Sequence, residues 1–92
     1  MDDGATPLFV AAHQGDEGVV RGLVKAGAEV NKAKSNGTTP LFIAAQSGHV
    51  SVVRGLVEAG AEVNKARDDG ATPLSIARGD DIRCLLIDAN AE

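Results

Sequence analysis

The chain has one cysteine, no tryptophan, no tyrosine and two phenylalanines among its 92 residues. A lone thiol, Cys84, has no partner for an internal disulfide, which excludes a disulfide-stapled scaffold and leads us to expect a reducing compartment, cytoplasmic or nuclear. With so few aromatics there is no platform on which nucleic-acid bases could stack, and a net charge of −4 opposes binding to a phosphate backbone or an anionic membrane. No apolar run is long enough to span a bilayer, and no signal-like stretch follows Met1, so neither nucleic acid nor membrane is an expected partner. The two histidines, His13 and His49, fall at different points of the pattern described below and have no second cysteine or carboxylate cluster at ligand spacing. No Ser/His/Asp or Cys/His arrangement stands out either. The expectation is a non-enzyme with no metal and no cofactor.

What the chain does have is repetition. Thr-Pro-Leu begins at Thr6, Thr39 and Thr72, a spacing of 33 residues each time. A fixed period of this length signals stacked supersecondary units. The units are 1–33, 34–66 and 67–92, together one domain.

The middle unit predicts its own structure. Asn36-Gly37 is a turn dipeptide, Thr39 can cap the first amides of a helix, and Pro40 suits the first helical position because its missing N–H has no partner to lose there. Leu41 to Ala45 has no polar position, so this helix needs cover from neighbouring units as well as from its own partner, and Gly48 ends it. A second helix starts near Ser51 with Val52, Val53, Leu56 and Val57 on one stripe and Arg54 and Glu58 on the other, and stops at Gly60. The polar stretch from Ala61 to Gly70 then leads to the next Thr-Pro as a hairpin-like projection.

On Gly37, Thr39-Pro40-Leu41, Ala44-Ala45, Gly48-His49, Val52-Val53, Gly60-Ala61 and Val63-Asn64, and on the matching residues of the first unit, the chain resembles an ankyrin repeat protein. One departure concerns the histidine usual after Thr-Pro-Leu: Phe9, Phe42 and Ser75 stand there. The resemblance implies an all-α solenoid of three stacked helix-turn-helix units with projecting loops. It also implies a protein partner, bound along a concave edge made by the loop tips and the ends of the first helices. Carried onto this chain, that edge comprises Asp2, Asp3, Ala5, His13, Gln14, Ser35, Asn36, Thr38, Gln46, Ser47, Asp68, Asp69, Ala71 and Arg78, where the otherwise near-identical units differ. The basic residues Lys32, Lys34, Lys65 and Arg67 are read as solvated loop charges.

The two ends differ. Unit one keeps the apolar residues of the interior, with Phe9, Val10 and Val20 matching Phe42, Ile43 and Val53, so either a preceding repeat has been removed or this face meets another molecule. The second reading of function is accordingly an engineered or excised module with no partner of its own, forming a homodimer through Phe9, Val10 and Val20. Unit three reads as a C-terminal cap: Ser75, Arg78 and Arg83 replace Phe42, Ala45 and Val53, three residues are missing around the turn between its helices, and Asn90 stands where Gly60 ends the earlier helix. Cys84 replaces Arg54 on the wet stripe and is expected to be exposed. The tripeptide Arg78-Gly79-Asp80 is read as that turn and not as a recognition motif, and the sequon Asn36-Gly37-Thr38 is discounted.

Overall fold

The computed structural model describes residues 4–89. Asp2, Asp3 and Asn90, singled out above, lie outside them. The helices are α1 (Pro7–Gln14), α2 (Glu17–Lys25), α3 (Pro40–Ser47), α4 (Val50–Glu58), α5 (Pro73–Ile76) and α6 (Asp80–Asp88). The described residues form no strand.

Each first helix starts as its sequence dictates. The Thr6, Thr39 and Thr72 hydroxyls accept from the amides of Phe9, Phe42 and Ser75, each at 3.1 Å, and a proline follows at the first helical position. Termination is equally local. Gly48 turns to φ +80°, its N–H donating to the Ala45 carbonyl while His49 N–H reaches back to Ala44 at 3.0 Å, so these two carbonyls near the end of α3 are satisfied.

The helices lie in two layers. α1, α3 and α5 pack side by side in one, α2, α4 and α6 form the other, and each first helix also packs on its own second helix. The middle pair, covered on both sides, holds the centre of the core: Leu41, Phe42, Ala44, Ala45, Val52, Val53 and Leu56 are all buried. The stripe predicted for α4 is therefore the buried one, and Arg54 and Glu58 are exposed. Gly55 sits within that helix, and a Cβ built on it meets nothing within 4 Å. Gly55→Ala is expected to stabilise the fold by up to about 1 kcal/mol, the difference in helix propensity between the two residues. A urea titration checks this, and a loss of stability would show that the site needs the glycine.

The third pair differs from its forerunners in a way the sequence hid. The shortening falls in the helix itself: α5 has 4 residues where α1 and α3 have 8, and the connection to α6 is one residue longer, which leaves the net loss of three. Ala77 leaves the helix in an extended conformation, and Arg78 N–H donates to the Ala45 carbonyl at 3.0 Å, tying the shortened segment to the end of α3. Gly79, at φ +100°, is the N-cap of α6, so Arg78-Gly79 lies in the inter-helix turn and Asp80 is the first residue of α6. Ser75 and Arg83 are exposed, and Cys84 is an exposed free thiol.

Candidate functional site

The loops between pairs are tight reverse turns. Lys34 N–H donates to the Thr38 carbonyl and Gly37 N–H to the Lys34 carbonyl, both at 2.9 Å; one period later Arg67 and Gly70 repeat the pair with Ala71 and Arg67 at 2.8 Å. At the same step of each turn a short side chain reaches two residues ahead. Asn36 Oδ1 accepts from Thr38 N–H at 3.1 Å, and Asp69 Oδ1 accepts from Ala71 N–H at 3.0 Å. Asp68 N–H donates to the Asn36 carbonyl at 2.9 Å, so consecutive loops are bonded to each other.

A feature absent from the sequence reading anchors these loops. Lys34 Nζ lies 5.0 Å from the centre of the Phe9 ring, and the Arg67 guanidinium lies 4.7 Å from that of Phe42. The recurring 25-residue spacing between ring and cation was the available signal. Two cations read above as solvated loop charges are thus packed over aromatic faces. Arg67 also grips Asp69 with two hydrogen bonds, of 3.1 and 2.6 Å. That guanidinium, with help from the Ala71 amide, pulls the Asp69 carboxyl down to about 2. The folded value lies below the ordinary one, so the contribution is complete above about pH 4 and is lost as pH falls toward 2. Asp69→Asn is expected to flatten acid denaturation across that window, as read by circular dichroism, whereas an unchanged acid limb would mean the pair contributes nothing there.

At the other end of α1 and α3 the pairs are clipped together. His49 Nε2 donates to the His13 carbonyl at 3.0 Å; because a carbonyl only accepts, this nitrogen carries the proton. The imidazole lies flat on Gly15, where an added Cβ would stand 2.6 Å from Nδ1, and Arg78 covers Gly48 in the same manner. Below the helices, Asn31 Oδ1 accepts from Glu62 N–H at 2.7 Å, a further bond between loops that the sequence did not announce.

The positions expected to meet a partner divide accordingly. His13, Gln14, Ser35, Asn36, Asp68, Asp69 and Arg78 are exposed, and Ala5, Gln46, Ser47 and Ala71 are partly covered. Thr38 needs correction: it is 4% exposed and its hydroxyl donates to Asn36 Oδ1 at 2.6 Å, so it shapes the turn and offers no contact surface. The apolar N-terminal face needs correction too. Phe9 and Val20 are buried, whereas Val10 and Val19 are 45% and 46% exposed. Among the described residues no three His, Cys, Asp or Glu side chains are grouped to hold a metal ion. No helix among them is long and apolar enough to cross a membrane.

The family model for ankyrin repeats, built of three copies, matches residues 1–67 and again 31–92. A search of the curated proteins gave no match.

Proposed function

The chain belongs to the ankyrin repeat family, whose members are generally protein–protein interaction modules on a typically non-catalytic fold, and from that premise we propose that it binds a partner protein across its loop tips and the layer of first helices. The reading rests chiefly on one observation: exposed variable side chains, among them Ser35, Asn36, Asp68 and Asp69, stand on turns that are already closed and bonded to one another. A surface built in advance loses little conformational entropy when it binds, which leaves more of the contact energy as affinity. On this reading rigidity is the mechanism, with no catalytic step and no cofactor. The 1–92 domain acts as three repeats presenting one edge, and its exposed free thiol suits a reducing compartment such as the cytoplasm or nucleus.

Site-directed photocrosslinking tests the assignment. A crosslinking side chain at Gln46, at the end of α3, should capture a discrete partner in cells, and one at Arg54, exposed on α4, should not. Equal capture at both sites, or capture at Arg54 alone, would move the interface to the outer helices.

A further inference from the structure

The loop between the first and second helical pairs carries a reactive pair of neighbours. Asn36 is exposed, and the residue after it is Gly37, whose backbone nitrogen has no Cβ beside it to hinder approach. Two donors already hold the Asn36 Oδ1: Thr38 N–H at 3.1 Å and the Thr38 hydroxyl at 2.6 Å. Hydrogen bonds to a carboxamide oxygen make its carbon more electrophilic and stabilise the negative charge that develops there when a nucleophile adds. The nearest nucleophile along the chain is the Gly37 nitrogen, whose N–H donates to the Lys34 carbonyl at 2.9 Å while the turn is closed.

We propose that Asn36 is a site of spontaneous deamidation, started when the Lys34–Gly37 hydrogen bond opens and frees the Gly37 nitrogen to attack the Asn36 Cγ. Solvent base takes the Gly37 proton and the N–Cγ bond forms. The Cγ–Nδ2 bond then breaks, and the side-chain nitrogen takes a proton from solvent and leaves as ammonia. The product is a five-membered succinimide, which water opens at either carbonyl. Opening at Cγ gives aspartate and restores the chain. Opening at the main-chain carbon gives isoaspartate, in which the chain runs through Cγ and is one methylene longer. No electrons are exchanged with an outside agent, and water is the sole co-reactant.

The next loop shows what each product does. Asp69 occupies the same step of its turn and accepts from Ala71 N–H at 3.0 Å, so an aspartate at position 36 keeps the turn. Isoaspartate does not. The Asn36 carbonyl that accepts Asp68 N–H at 2.9 Å leaves the main chain, and the link between consecutive loops goes with it. Asp69 is itself followed by Gly70, yet Arg67 holds its side chain as a carboxylate with bonds of 3.1 and 2.6 Å. A carboxylate offers the Gly70 nitrogen neither an electrophilic carbon nor a good leaving group. Of these two turns, only the one at Asn36 modifies itself. Asn36 also lies on the edge proposed to meet a partner, but this chemistry needs no partner.

The test is incubation of the folded protein in mildly alkaline buffer, with peptide mass spectrometry to locate the conversion and enzymatic methylation of isoaspartate to tell the products apart. Asn36 is expected to convert at least about tenfold faster than Asn31 and Asn64, each followed by a lysine, with both products formed and Asp69 unchanged. Urea below the unfolding transition should speed the conversion by opening the turn. The isoaspartyl form, isolated by chromatography, should show faster amide hydrogen exchange at Asp68, whereas Asn36→Asp, standing for the other product, should not. Conversion of Asn36 no faster than that of Asn31 and Asn64, isoaspartate at Asp69 at a comparable rate, a rate unmoved by urea, or unchanged exchange at Asp68 in the isoaspartyl form would each overturn the proposal.

Discussion

Phe42→Ala is expected to lower the unfolding free energy by about 3–5 kcal/mol, the range for truncating a fully buried aromatic side chain. For a 92-residue chain the whole stability is about 5–14 kcal/mol, so this one change removes a large part of it. The ring is 0% exposed, lies in the central pair and carries the Arg67 guanidinium on its face. Its loss empties a fully buried site in α3 and frees the loop that Arg67 anchors, so the penalty has two sources. Phe9 occupies the same helical position but is 8% exposed, with Lys34 above it, and Phe9→Ala should cost less. Urea denaturation followed by circular dichroism checks both variants. If Phe42→Ala lost less than about 1 kcal/mol, the stack would not be held at its centre.

Gly37→Ala is expected to be the costliest glycine replacement in the loops, at about 3 kcal/mol or more, because strain terms of 1–3 kcal/mol each combine there. Gly37 sits at φ +87°, and an added Cβ would stand 3.0 Å from the Asp68 backbone nitrogen and 3.3 Å from the Arg67 Cα. Neither atom can retreat cheaply, since Asp68 N–H holds the Asn36 carbonyl and Arg67 is fixed by its ring and its turn. Gly70 makes the same turn one period later at φ +89° with nothing within 4 Å of the added carbon. Gly70→Ala should therefore show only the left-handed backbone penalty, about 1–2 kcal/mol. Both variants belong in one denaturation series. Equal losses would mean that the bond between consecutive loops contributes nothing, and that Gly37 matters for its own φ alone.

The comparison of these two glycines marks where legibility ended. Both occupy the same place in the period, and both could be read from the sequence as turn glycines. Only one has a neighbouring loop lying on it. The same limit explains the error at the N-terminal end. Phe9 and Val10 are consecutive in a helix, where successive side chains point about 100° apart, so they serve different neighbours. The repeat pattern marked both as apolar without saying which faced the next pair. Thr38 was misplaced for a related reason: a position where the units differ was read as a contact surface, but its hydroxyl turns inward to Asn36.

By itself the sequence determined the 33-residue period, and with it the resemblance that implies an all-α architecture; it also determined each first-helix start at Thr-Pro and the glycine ends of the first two pairs, because those last signals act within about five residues through caps, fixed φ and left-handed turns. The tertiary structure alone decided which aromatic lies under which cation, that His49 clips α1 through the His13 carbonyl, that α5 is halved, and which side chains of the first pair are buried. Those outcomes depend on groups 25 to 36 residues apart meeting across a stack. Local pattern specifies each unit, and only the packing of one unit on the next says which side chains are covered.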